Sequence, residues 1–333
     1  MRIPFEQMQA EFSRVFQKAG MSKEKAEICA RIHTETSRDG ISSHGAGRVV
    51  RFYNYLKDGW VDANAEPTLH KSFGALEVWD GNMAPGILNA LHCTDRAIDL
   101  AKHHGIGLVG LRNTTHWMRG GSYGLYAAEK GYALISWTNT ESCMPPWGGT
   151  QARLGNNPFV MALPSEKGTV LLDMAMTQYS FGKLSTTRIA NKQLPYPGGF
   201  DKEGNLTTDP GAIEESMRPL PIGYWKGSAF AFVLDLLASV FSEGIGAVKM
   251  DAEGKGSCSG CSQVFIAIDH KRISNAEYIS ELQSQLDAYV KSSAPAEGGE
   301  IRSPGAGFAA ARKDAEANGV WIDDAMWAEI CAL

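Results

Sequence analysis

The sequence predicts an α+β fold with a mixed or antiparallel sheet and helical segments at both ends of the chain. Three observations carry this. Phe5, Met8, Phe12, Val15 and Phe16 recur at helical spacing near the start. From about Leu76 short β-rich runs crowd together, several with no helix between them. After about Asn275 the pattern becomes helical again.

In chain order, Ser22 is placed to cap a second helix that Asp39-Gly40 ends. A third begins around Ser42-Ser43, runs through Val49, Phe52, Tyr53 and Leu56, and stops at Asp58-Gly59, with His44 in its first turn. The β-rich runs are Leu76 to Trp79, Ile106 to Leu111, Tyr132 to Trp137, Phe159 to Leu163, Val170 to Met174 and Gln263 to Ile268. Helices fit Pro85 to His104 and Tyr123 to Lys130. Pro195 to Pro221, rich in Gly, Pro, Asp and Asn, reads as an irregular excursion before an apolar helix from Gly227 to Phe241. Beyond Asn275 a helix to Ser292 and another from Pro304 are separated by the polar stretch Ser293 to Gly299. The expected organisation is a helical segment over 1–75, a sheet-containing region over 76–270, and C-terminal helices over 271–333 that return to the first lobe.

With 333 residues, 44% of them hydrophobic and 21% charged, the chain has ample material for a large core. Its net charge of -5 and the lack of a Lys/Arg block exclude an electrostatic footprint for nucleic acid and leave small molecules as the expected partners. Met1-Arg2-Ile3-Pro4 opens no signal-peptide pattern, and no stretch approaches the apolar length of a membrane span. The six cysteines are scattered, and only Cys258 and Cys261 are close, a pattern expected of a reducing cytoplasm.

Gly105, Gly107 and Gly110 spell Gly-x-Gly-x-x-Gly, but a dinucleotide cradle needs a strand before the glycines and a helix after them. Here a helix precedes and a β-branched run follows, so a nicotinamide enzyme would need another cradle. Cys258-x-x-Cys261 lacks the two further ligands of a zinc site, and His270 stands alone, so no metal is expected. His44 and Arg48, four apart on a helix, would share one face. A histidine donates a proton near neutral pH and a guanidinium clamps a carboxylate, the two parts that reduction of a 2-oxo acid requires. Two further sites are weaker: His116, in a polar glycine-rich loop whose Gly120-Gly121-Ser122 leads into a helix, and Lys226 at another helix start. Each places backbone N–H groups where an anion could bind.

Together, Ser43-His44-Gly45 with Arg48, His116, Asn157-Pro158, Asp173-Met174 and Lys226-Gly227 resemble the malate/L-lactate dehydrogenase family, which is unrelated to the Rossmann dehydrogenases. The runs His116-Trp117-Met118-Arg119-Gly120-Gly121-Ser122-Tyr123-Gly124, Met144-Pro145-Pro146-Trp147-Gly148 and Gly223-Tyr224-Trp225-Lys226-Gly227-Ser228 resemble a branch of it that acts on sugar-derived diketo acids. The resemblance implies the family's non-Rossmann L-sulfolactate/malate dehydrogenase-like fold, a homodimer, and reduction of a 2-oxo acid with NADH, NADPH being possible. It implies that His44 is the proton donor, that Arg48 binds the substrate carboxylate and that His116 is a second polar contact. The implied cofactor contacts are Thr169, Val170, Leu171, Leu172, Asp173, Met174 and Ala175, then Trp225 and Lys226, then Gly305, Ala306 and Gly307. Asn156 stands where relatives often carry threonine, and Ala306-Gly307 where they often carry a polar residue. Rival expectations are a malate, lactate, ureidoglycolate or cyclic imino acid dehydrogenase of the same family, a hydrolase or lyase built on Cys143, and a non-catalytic binder of acidic sugars.

Overall fold

The computed structural model describes residues 1–297 and 299–333; Gly298, in the polar stretch Ser293 to Gly299, lies outside the described residues. The chain opens with β1 (Arg2–Ile3), α1 (Phe5–Lys18) and α2 (Lys23–Arg38), then two 3₁₀ turns (Ser42–His44 and Ala46–Arg48) and α3 (Val49–Lys57). There follow β2 (Thr68–Phe73), β3 (Leu76–Asp80), α4 (Gly86–His104), β4 (Ile106–Thr114), α5 (Gly121–Glu129), β5 (Ala133–Thr138), β6 (Phe159–Leu163), β7 (Val170–Met174) and α6 (Phe181–Ile189). The remainder is β8 (Gly199–Phe200), β9 (Leu206–Thr207), α7 (Pro210–Ser216), α8 (Trp225–Ser242), α9 (Ala247–Glu253), β10 (Cys261–Ile268), α10 (Ala276–Lys291), α11 (Ala306–Asn318), β11 (Val320–Trp321) and α12 (Asp324–Ala332).

The main sheet has seven strands in the order β2-β3-β4-β10-β5-β6-β7. Only the β3–β4 pair is parallel, bridged by α4, so the sheet is mixed, as the close strand spacing requires. β10 comes late in the chain yet sits at the centre, between β4 and β5. The glycine triplet serves this architecture. Gly105 adopts φ 84° and caps α4. A Cβ on Gly107 would come 2.3 Å from the Ala97 carbonyl of α4, and one on Gly110 would come 2.0 Å from the Phe241 carbonyl of α8. The two glycines thus let a helix lie close on each face of β4.

Three expectations are corrected. The third helix does not run unbroken from Ser42: Gly45 (φ -105°, ψ -115°) splits its start into two 3₁₀ turns, so His44 and Arg48 do not share an α-helical face. The reason is packing, since a Cβ on Gly45 would lie 2.2 Å from Ser37 Oγ and 2.8 Å from the His33 carbonyl of α2. The excursion from Pro195 to Pro221 holds β8, β9 and α7, the last started by Asp209, which accepts from the Gly211 N–H at 2.8 Å. Finally, α8 is the one helix among the described residues long and apolar enough to cross a bilayer, with a mean hydropathy of 1.2 over 18 residues. Reading for unbroken apolar runs missed it because Lys226 and Asp235 interrupt the run. One face of α8, with Ala231, Leu234 and Ala238, packs on the sheet.

At the other end of the chain, β11 pairs antiparallel with β1, and Ile322 and Ile330 join Phe12, Phe16 and Phe52 in the N-terminal core.

Candidate active site

The turn carrying His44 is held from below by α2. His33 is wholly buried among Phe12, Phe16 and Phe52 and its Nδ1 lies 3.0 Å from the Gly45 carbonyl. That bond puts the His33 proton on Nδ1, because a carbonyl can only accept. Ser37 Oγ accepts the Ala46 N–H at 2.8 Å and donates to the His33 carbonyl at 2.9 Å. From above, α6 closes on the same turn: a Cβ on Gly182 would lie 2.4 Å from Ser43 Cβ.

Two distant segments bring their imidazoles together. His44 and His116 stack with ring centroids 5.8 Å apart and planes 24° apart. The Met118 N–H donates to His116 Nδ1 at 2.9 Å, so a neutral His116 carries its proton on Nε2. Ser43 Oγ lies 3.1 Å from His44 Nδ1. Burial, then the positive charges of Arg48 and Arg119, then His33, holds the His44 pKa down at about 4. His116 is also held well below the usual imidazole range, by burial and then by Arg48 and His44. Arg48, itself lowered by burial and by Arg51, lies within electrostatic reach of both imidazoles despite the broken helix. The site is thus a half-buried recess with two neutral histidines and a guanidinium.

Beside it lies a chain of charges from four parts of the sequence. Asp39, 1% exposed at the end of α2, accepts from Arg119 at 2.7 Å and from both Nε and Nη2 of Arg312 on α11 at 3.0 Å. Burial raises the Asp39 pKa, but the bonds from Arg312 and Arg119 outweigh it and the net shift is downward. Arg119 Nε stands 3.6 Å from Asp173 Oδ2, which accepts the Gly121 N–H at 3.0 Å. The Gly120-Gly121-Ser122 turn therefore does present an N–H to an anion, but that anion is the chain's own Asp173. This corrects the expectation of a free anion site there.

The expected cofactor segments converge only in part through direct contact. Gly305 (φ 90°) approaches Thr169, whose carbonyl would be 3.5 Å from a Cβ placed there. Ile222, just before α8, donates its N–H to the Met176 carbonyl at 2.8 Å, and Thr177 pairs with Pro221, so the end of β7 is tied to the start of α8. Gly223 and Tyr224 both take φ 60°, a tight turn that leaves Trp225 61% exposed and Lys226 in the first turn of α8. These residues fit an extended, anionic dinucleotide: N–H groups and an ammonium at an exposed helix start, an aromatic face, and a glycine turn.

The remaining candidates do less. Among the described residues no three His, Cys, Asp or Glu side chains converge to hold a metal. All six cysteines are free. Cys143 is pushed up to about 12, first by burial and then by Glu141, so it offers little thiolate to a hydrolase. Cys258 and Cys261 are buried and unreactive for the same reason. Reading the sequence missed His33, Gly182, Asp39 and Arg312. Only Asp39, a helix-ending acid followed by glycine, left a local signal.

The site thus pairs two stacked imidazoles, and the Gly105-Gly107-Gly110 run serves helix-on-sheet packing instead of a dinucleotide turn. Residues 3–331 match the profile of the malate/L-lactate dehydrogenase family, and the chain belongs to that family. It is accordingly an oxidoreductase of the dehydrogenase and reductase class, in which a nicotinamide carries the hydride. It is 45% identical over 334 residues to the 2,3-diketo-L-gulonate reductase of Citrobacter koseri, and 44% identical over 334 residues to that of Escherichia coli, with 100% of each chain covered. The sulfolactate dehydrogenase of Methanocaldococcus jannaschii superposes with a TM-score of 0.88 at 29% identity, over 100% of this chain and 97% of that one.

Proposed function

We propose that the protein reduces the 2-keto group of 2,3-diketo-L-gulonate to give 3-keto-L-gulonate, with His44 as proton donor, Arg48 on the substrate carboxylate and His116 as a second polar contact. The observation that carries this reading is the stacking of His44 on His116 within reach of Arg48, together with full-length likeness to relatives named for that substrate. Arg48 clamps the carboxylate and so fixes the adjacent keto carbon in register. Bound NADH supplies the hydride that arrives at that carbon. Negative charge then grows on the keto oxygen, and the proton passes to it from His44, which is left neutral. The Nε2–H of His116 donates to the same oxygen or to the neighbouring C3 keto oxygen. Thr169 to Ala175, Trp225 and Lys226, and Gly305 to Gly307 would hold the NADH. NADPH remains an arm of the test.

The bound carboxylate has a second role. It offsets the push of Arg48 on His44, the largest influence after burial, and so favours the protonated imidazole that the reduction draws on. The reading is tested by following reduced-nicotinamide consumption with 2,3-diketo-L-gulonate, pyruvate, oxaloacetate and a cyclic imino acid, each with NADH and with NADPH. A preference for the diketo acid supports it. Preference for another substrate assigns the chain to a different activity within the family, and no consumption with any of them defeats it.

The proposed enzyme is a cytoplasmic homodimer. Phe232, Leu236 and Val240, spaced by four along α8, are 60%, 53% and 58% exposed, an apolar stripe that a second copy would cover. Leu236→Asp is expected to convert a dimer into a monomer in sedimentation velocity; an unchanged sedimentation coefficient places the contact elsewhere.

A further inference from the structure

Phe308 lies in the first turn of α11, directly after the Gly305-Ala306-Gly307 segment. Its ring packs against the cluster of Val160, Ala162 and Leu171, which joins the start of α11 to β6 and β7. The guanidinium carbons of Arg119 and Arg312 stand 5.5 and 6.0 Å from the ring centroid, within the reach of cation–π attraction. Arg119 has use for that face. Its Nη1 donates to Asp39 at 2.7 Å, but its Nε is shut away from water with no hydrogen-bond partner, 3.6 Å from Asp173 Oδ2. A buried guanidinium with an unfilled donor is stabilised by an aromatic face, and more so where water is excluded. The same ring bounds the turn before it. Gly305 has φ 90°, and a Cβ placed there would fall 2.8 Å from Phe308 Cε1, so the backbone of the turn rests on the ring edge. Two segments thus meet at one side chain: the turn at Gly305 lies on the ring, and β7 flanks it through Leu171 and through Asp173 beside Arg119.

We propose that Phe308 is a positioning residue for the nicotinamide cofactor: its ring, gripped by the Arg119 and Arg312 guanidiniums, sets the Gly305-Ala306-Gly307 turn against β7 so that the two segments bind the dinucleotide together. This rests on the reading of those segments as the cofactor cradle, and it adds the side chain that aligns them. A turn already held in its binding position loses little freedom when the cofactor arrives, whereas a loosened one must be ordered at the expense of affinity. The effect therefore falls on cofactor binding, and the chemistry at His44 is left as it was.

The test is a fluorescence titration of NADH into the full-length protein without substrate, so that its readout does not depend on turnover. Phe308→trifluorophenylalanine nearly keeps the shape of the ring but withdraws electron density from its face, and is expected to raise the Kd for NADH about tenfold. Phe308→Leu, which keeps apolar bulk and loses the face altogether, should raise it at least as much. In both variants kcat at saturating NADH should stay within about twofold of the parent. An NADH affinity unchanged in both variants overturns the proposal. So does a loss in Phe308→Leu alone, because packing without the charged grip would then account for it. If Phe308→Leu does not fold, the fluorinated ring decides by itself. Gly305→Ala, which crowds the ring edge at a positive φ, examines the cradle separately. Weaker NADH binding in Gly305→Ala with none at position 308 keeps the cradle and removes Phe308 from it; no change in any of the three variants removes the turn from the cofactor site, and the proposal with it.

Discussion

His44→Asn is expected to lower kcat by about 10²–10⁴-fold, the range that loss of a positioned general acid produces, with NADH affinity within about threefold of the parent. The asparagine amide can still donate a hydrogen bond to the keto oxygen, but it has no proton to give up. The stacked His116 cannot substitute. Its Nδ1 is held by the Met118 N–H, and burial and then the charges of Arg48 and His44 push its pKa well below the usual imidazole range and oppose its protonation. Arg48→Ala should separate from this by raising KM, with a smaller effect on kcat, because the clamp acts on ground state and transition state alike. Steady-state kinetics with a fluorescence titration of NADH distinguish the two. Equal turnover in His44→Asn and the parent would remove the proton-donor assignment.

Arg119→Met is expected to carry the largest cost in stability, about 3 kcal/mol by urea denaturation. Arg119 is 5% exposed and Asp39 1% exposed, so the substitution takes from a buried carboxylate its closest partner. Arg312 still grips Asp39 through two bonds and Arg38 Nε donates to it at 3.1 Å, which keeps the loss at the lower end of the range for breaking a buried pair. Asp173 loses its nearest cation in the same change, although the Gly121 N–H still donates to it. Because Asp173 sits on β7 within the proposed cofactor segment, the variant should also bind NADH more weakly. A free energy of unfolding unchanged within about 0.5 kcal/mol would show that the pair contributes nothing net.

Much of this architecture is legible in the chain. The ends of β6 and β7 fall where the β-rich runs place them. Along β6 the residues alternate between buried Val160 and Ala162 and the more exposed positions around them, so the period-two pattern marks the strand. β2 escaped because all six of its residues are exposed and no alternation is written into them. The break at Gly45 was hidden for another reason. It arises from contact with Ser37 and His33, and nothing in the local pattern reports a neighbour on another helix. The same limit applies to the charge chain, where Asp39 and Arg312 are 273 positions apart. His33 looks like any polar residue on a helix until the three phenylalanines around it are known. In the site, His44, Arg48 and His116 could be singled out from the chemistry of their side chains and from family likeness.

The most direct test of His44 as proton donor is the pH dependence of kcat/KM in both reaction directions. Its pKa is held at about 4, chiefly by burial and then by Arg48, so the protonated fraction falls about tenfold per pH unit above that value. Reduction draws on the protonated imidazole, so its kcat/KM should fall with a slope near minus one in log units from about pH 6 to 8. Oxidation draws on the neutral imidazole, already dominant in that range, and should stay flat. Reduction that is flat or rises with pH across the same interval would contradict the assignment of the proton to His44.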